Sequence, residues 1–169
     1  MQSLQAFNVR QWIDANRAQL RPPVGNKRVF RDGDFIIMVV GGPNARKDFH
    51  VDPGEEFFYQ LEGEMVLRTM QAGSAVEVPI RAGEVLLLPP GVPHSPQRPA
   101  GTVGLVVEVP KFARGTHHLR WYCRECGHVL HDSAFEPVDL GKQIKAMLAE
   151  FNGTAELHKC KKCGAEFKV

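Results

Sequence analysis

From Val29 to Val109 the chain is a succession of short apolar runs, each closed by glycine or proline. That rhythm leaves room for little but β structure. The runs are Phe35–Val40, Glu56–Leu61, Glu64–Met70, Val76–Ile80, Val85–Leu88 and Val103–Val109. The breaks fall at Gly41-Gly42-Pro43, Gly63, Gly73, Gly83, Pro89-Pro90-Gly91 and Gly101. Short strands at regular spacing with turn residues between them predict an all-β sandwich or barrel. No helix-length pattern separates the runs, which argues against a parallel α/β sheet. Glu62-Gly63, between two of the runs, predicts a tight hairpin.

Helical signals flank this region. Residues 9–20 place Trp12, Ile13 and Leu20 at helical spacing, Asn8 with Gln11 offers a capping box, and Pro22-Pro23 ends the segment. The following V-G-N-K-R reads as a loop lying across the barrel. After Pro110 the character shifts, with strands expected at Leu119–Cys123 and Val129–His131. A second helix is expected over Leu140–Phe151, with Leu140, Ile144, Met147, Leu148 and Phe151 on one side and Gly153 as its stop. We therefore expect a barrel with its N-terminal helix over residues 1–110 and a C-terminal extension over 111–169. Lys+Arg number 21 against 19 Asp+Glu, so no strong field points to nucleic acid or membrane. Phe35–Val40 and Val85–Pro90 are too short to span a bilayer, and the early residues lack a signal peptide's apolar core. A soluble cytoplasmic protein is expected.

Two stretches carry the chemistry. Arg46–Gly63 places His50 six residues before Glu56, and Gly83–Arg98 delivers His94 after a Pro/Gly turn. Two imidazoles and one carboxylate on one face are the ligand set of a mononuclear iron site with open positions. A single strand-end histidine is otherwise more often a hydrogen-bonded structural residue, and it is the paired spacing that favours the metal. Cys123/Cys126 and Cys160/Cys163 form two C-x-x-C turns. With no export signal, they predict one tetrahedral four-thiolate ion, zinc or iron, in a structural role. A redox-active dithiol is the competing reading, and His128 and His158 are spare candidates.

The spacing resembles the paired motifs of the cupin superfamily. Glu56 and Gly63 are separated by six residues, as in the first motif. Gly83, Pro89, Gly91 and His94 follow the second without a mismatch. The usual second histidine of the first motif is replaced by Asp52, a doubtful ligand, which implies a three-ligand site. Within cupins, G-G-P-N-A-R-K-D-F-H, D-P-G-E-E-F-F-Y-Q, L-L-P-P-G-V-P-H-S-P-Q-R-P and W-Y-C-R-E-C-G-H closely resemble the 3-hydroxyanthranilate 3,4-dioxygenase family over nearly the whole chain.

The resemblance implies a cupin double-stranded β-helix (a jelly-roll barrel), with peripheral helices and a small metal-binding appendage. It implies a catalytic Fe(II) on His50, Glu56 and His94 and a second Fe or Zn on the four cysteines. The substrates would be 3-hydroxyanthranilate and O2, the product 2-amino-3-carboxymuconate semialdehyde on the route to quinolinate and NAD, and the assembly a homodimer. Arg98 would grip the substrate carboxylate, Arg46 would face dioxygen, Glu108 would meet the substrate hydroxyl, and Val24 and Asn26 would cover the ring. From the residues alone, Glu108 in its apolar strand either points outward or, facing the interior, pairs with Arg98; the resemblance implies that the appendage is dispensable for the reaction. A cupin isomerase or sugar-binding module with another metal, and a zinc-ribbon interaction protein, are the rival expectations.

Overall fold

The structure, a computed structural model, describes residues 5–22, 25–109, 115–136, 138 and 140–169. Val24, the Leu140 side chain and the expected boundary at residues 110 and 111 lie outside the described residues.

The chain opens with helix α1, Val9–Asn16, and a 3-10 turn, Arg17–Leu20. Asn8 caps α1 by accepting from Arg10 N and Gln11 N at 3.0 and 3.1 Å. The reciprocal half of the expected capping box, a bond from Asn8 N to the Gln11 side-chain oxygen, is absent among the described residues. The predicted helix over 9–20 breaks at Asn16, whose side chain donates back to the Trp12 carbonyl at 2.7 Å, competing with the helical ladder.

Twelve strands follow: β1 (Asn26–Arg28), β2 (Ile36–Gly41), β3 (Asn44–Ala45), β4 (Phe49–Val51), β5 (Glu56–Glu62), β6 (Glu64–Gln71), β7 (Ser74–Arg81), β8 (Val85–Leu88), β9 (His94–Arg98), β10 (Val103–Glu108), β11 (His117–Tyr122) and β12 (Val129–Phe135). Helix α2, Leu140–Gly153, and a 3-10 turn, Ala155–His158, close the chain. One sheet has the order β1-β2-β10-β5-β8, the other β12-β11-β4-β9-β6-β7 with β3 beside β9. All pairings are antiparallel.

The expected hairpin at Glu62-Gly63 does not form. β5 pairs with β8 and β10, whereas β6 pairs with β7 and β9 in the other sheet. Gly63, at φ 69°, steers the chain across the barrel edge, and a Cβ there would meet Thr102 Cγ2 at 2.9 Å. The expected loop after Pro22-Pro23 in fact contributes β1, an edge strand.

Alternation sorts each strand's faces. Phe58, Met65, Leu67, Ile80, Leu88 and Val106 form the core between the sheets. Outside the first sheet, Ile13 and Leu20 cover Val39 and Val103. A third cluster joins β11 to α2. Trp121 stacks on Phe151 at 4.4 Å, with Ile144, Met147 and Leu148 packed beside them, as the helical spacing predicts. β11 lies next to β4, so the C-terminal segment shares a sheet with the barrel.

Candidate metal centre

Register brings the ligand candidates together. His50 of β4 and His94 of β9 are direct cross-strand partners in the second sheet. Glu56 opens β5 in the facing sheet, on the same inward face as Phe58 and Gln60. All three are buried. Glu56 Oε1 lies 3.0 Å from His94 Nε2 and 3.7 Å from His50 Nδ1. The three ligand atoms are mutually within 4.8 Å.

Two further observations fit a cation there. His94 Nδ1 lies 3.0 Å from the Val92 carbonyl. It can only donate to that oxygen, which leaves Nε2 of a neutral ring as a lone pair facing a carboxylate. Glu56 Oε1, buried and 3.0 Å from that nitrogen, has no hydrogen-bond donor among the described residues when the ring is neutral. A lone pair and a carboxylate oxygen held 3.0 Å apart need a cation between or beside them, a proton in the metal-free protein or a metal ion shared with His50.

Charge is tuned throughout the site. Burial lowers the His50 pKa to about 3. Burial alone would lower His94 too, but the neighbouring Glu56 carboxylate outweighs it and raises it. Glu56 stays below the usual carboxylate range because His94 and His50 overcome its own desolvation. Asp52 is raised by burial, against a hydrogen bond from Gly54 N at 2.6 Å. It groups with His50 and His117 rather than with Glu56 and His94.

Of the remaining candidates, Glu108 and Arg98 lie inside the barrel, and Arg46 and Asn26 lie nearer the surface. Glu108 is the cross-strand partner of Glu56 on β10, so it faces inward. Burial, then the charges of Glu56 and Asp52, raise its pKa to about 8. Arg98 is 3% exposed and its pKa falls to about 10 through desolvation. Its partner is Gln60, not the expected Glu108. Nη1 donates to Gln60 Oε1 at 3.1 Å, and Nε has no partner among the described residues. Gly104 makes room for this pair, since a Cβ there would lie 2.7 Å from Arg98 Nη1 and 2.8 Å from Gln60 Oε1. Arg46 is clamped to the buried Asp48, its Nε donating to Oδ2 at 3.1 Å, and its charge bears on His50, Glu56 and His94. Asn26 is exposed on β1 and pairs with Val40, whose side chain points into the barrel. Arg28, two residues on, lowers Glu108 electrostatically. Gln60, Arg28 and His117 were not expected from sequence, because each is placed by cross-strand register; Asp48 was missed although its partner Arg46 is only two residues away.

At the other end of β11 the four cysteines are free thiols gathered in one cluster. Cys123–Cys163 and Cys126–Cys160 Sγ atoms are 3.6 Å apart. That is far beyond the ~2.05 Å of a disulfide. It is close to the ~3.8 Å edge of a tetrahedron built on ~2.3 Å metal–sulfur bonds. The two turns match: Gly127 N donates to Cys123 O and Gly164 N to Cys160 O, at 2.9 and 2.8 Å.

Two antiparallel sheets with two histidines on one and a glutamate on the other define a metal-binding cupin. The sequence pattern of the 3-hydroxyanthranilic acid dioxygenase family matches residues 1–152, and the chain belongs to that family. It is 50% identical over 158 residues to a protein named 3-hydroxyanthranilate 3,4-dioxygenase from Xanthomonas euvesicatoria pv. vesicatoria (strain 85-10), covering 94% of this chain and 89% of that one. It is 44% identical over 163 residues to one of the same name from Bacillus thuringiensis (strain Al Hakam), covering 96% and 91%. Among solved structures it is similar to a cupin-2 domain protein from Shewanella frigidimarina NCIMB 400. There the TM-score is 0.48, with 15% identity over 57% of this chain and 91% of that one.

Proposed function

We propose that the chain opens the ring of 3-hydroxyanthranilate with O2 to give 2-amino-3-carboxymuconate semialdehyde, using Fe(II) held by His50, Glu56 and His94. The observation that carries this reading is the gathering of those three buried ligand atoms within 4.8 Å of one another, in a chain of the family just described.

Ferrous iron in that seat would supply an electrophilic anchor for the substrate hydroxyl and amine and one-electron chemistry with dioxygen. The chain's own residues do the rest. The unpartnered Arg98 Nε binds the substrate carboxylate; a guanidinium presents parallel donors matched to its two oxygens. Phe58 and Val106 provide apolar surface on the strands that carry Glu56 and Glu108. Glu108 accepts the proton of the substrate hydroxyl, with a pKa of about 8 that allows transfer in either direction near neutral pH. Arg46, held by Asp48, places positive charge where dioxygen gains electrons. Asn26, at the rim on β1, contacts the bound ring.

A second iron or zinc on the four cysteines pins β11 to the chain end, and the protein works in the cytoplasm, where thiols stay reduced. No helix among the described residues is long and apolar enough to cross a membrane. The product feeds quinolinate and NAD synthesis. The assembly is a homodimer formed through the outer face of the first sheet, where Val85 and Leu87 on the edge strand β8 are 59% and 55% exposed.

Anaerobic loading with Fe(II), then air and 3-hydroxyanthranilate, tests the activity by the absorbance of the ring-opened product. His50→Ala and His94→Ala are expected to lose ring opening and the iron of the histidine–glutamate site, leaving any ion on the cysteines in place. Either variant keeping full activity puts the site elsewhere. Arg98→Ala is expected to raise the KM for substrate while keeping iron, and equal loss of both removes its role.

A further inference from the structure

His117 is a buried histidine, 6% exposed, that the three-ligand set leaves unused. It opens β11, the strand paired to β4, and its Nδ1 lies 3.2 Å from His50 Nε2 and 3.7 Å from Asp52 Oδ2. Its ring stacks on His50 at a centroid distance of 5.4 Å and 17° between planes, and Phe135 of β12 backs it at 5.6 Å. We propose that His117 is a positioning residue for His50, so that the C-terminal segment carrying the cysteines also builds the catalytic metal site. The inference rests on the reading of His50, Glu56 and His94 as metal ligands.

A neutral imidazole has one lone pair and one N–H, so a ligand histidine must be told which nitrogen to offer. His50 Nδ1 is the nitrogen turned to Glu56. As a ligand it carries no hydrogen, so the hydrogen resides on Nε2. Nε2–H then donates to His117 Nδ1, the atom found 3.2 Å away. Without that acceptor the buried ring gains nothing from this orientation over its flipped alternative. Asp52 Oδ2 lies 3.7 Å from the same His117 Nδ1, beyond hydrogen-bond distance, so that nitrogen's lone pair is left to the His50 Nε2–H. Because β11 pairs Leu119 with His50 and ends beside Cys123, the cysteine cluster anchors the strand that supplies this acceptor.

His50, Asp52 and His117 also lie within ligand distance of one another, so the test must separate positioning from direct ligation. Co(II) titration of the anaerobic full-length chain does so. Thiolate charge-transfer absorption reports the cysteine site, and the weaker visible bands report cobalt on nitrogen and oxygen. His117→Ala is expected to weaken the nitrogen/oxygen site by about 10–100-fold, the range typical for partners of ligating histidines. His117→Asn, which returns a polar atom near the Nδ1 position, is expected to recover most of that affinity, and His118→Asn, on the half-buried neighbour whose Nδ1 lies 2.7 Å from Asp132, is expected to leave the nitrogen/oxygen site unchanged. Thermal unfolding of each metal-free variant checks that all are folded. An unchanged affinity in His117→Ala, or an Asn variant no better than Ala, overturns the proposal. So does loss of the ion in His117→Ala together with its retention in His94→Ala, which makes His117 a ligand itself. If His94→Ala alone keeps the site while His117→Ala binds as the parent does, the ligand reading fails as well, and independently.

Discussion

Glu108 shows how much depends on which face of a strand a residue takes. In V-G-L-V-V-E-V a lone carboxylate can point to water or to the interior, and the sequence does not decide. Register does, by setting Glu108 opposite Glu56 and in alternation with the core residue Val106. Its folded-state pKa, raised from 4.5 to about 8 by burial, carries a stability signature. A group raised in this way contributes stability in full below its unfolded pKa and loses it as pH rises through the folded one. Metal-free protein should therefore weaken between pH 4.5 and 8, on the order of 1.4 kcal/mol per pH unit at most. Glu108→Gln should remove that slope, and urea unfolding at pH 5, 7 and 9 measures it. A difference between the two proteins that does not vary with pH would count against a buried, proton-holding Glu108. Gly104→Ala tests the neighbouring arrangement. Its methyl group would meet Arg98 and Gln60 below 3 Å, so the KM for substrate should rise severalfold with iron content unchanged. The triad was legible because its motif spacing is local, within Arg46–Gly63 and Gly83–Arg98. His117 was not, because the residue it serves lies 67 positions away.

At the scale of elements, the runs of apolar residues located β2, β5 to β8 and β10 but not the short β1, β3, β4 and β9, and pairing was the other place where local reasoning failed. Glu62-Gly63 carries a turn signal, but a turn does not say whether the next strand returns to its neighbour or crosses to the other sheet. The deciding contacts, Gly63 against Thr102 and β5 against β10, are long-range. The second helix was legible because its apolar stripe repeats at 3.6 residues, and the structure adds what that stripe grips. Phe151 is fully buried between Trp121 and Phe167, stacked on the first and edge-on to the second. Phe151→Ala should cost about 3–5 kcal/mol in the unfolding of this segment, read by Trp121 fluorescence. If the loss stays below about 1 kcal/mol, within the range of ordinary surface changes, α2 is not what holds β11 down.

For the molecule as a whole, the open question that geometry addresses is what covers the first sheet. α1 shields only the end of its outer face, over Val39 and Val103. Along the other side, Val85 and Leu87 on β8 stand exposed beside Phe57 and Tyr59 on β5, and Phe35 is 54% exposed. A face of this kind ending in an unpaired edge strand is an association surface, and a small net charge of +2 offers little repulsion between copies. A second copy placed there by a twofold axis would bury the same patch on both chains, the arrangement that closes an assembly rather than extending it. Leu87→Glu puts two like charges into the centre of such an interface, so sedimentation equilibrium at micromolar concentration should shift from twice the chain mass to the chain mass. Leu87 points away from the barrel interior, since its neighbours Leu86 and Leu88 face the core, so iron content and ring opening by the monomer should survive. A variant that remains dimeric places the interface on another face. A parent protein that sediments as a monomer removes the dimer and leaves the patch to a different partner.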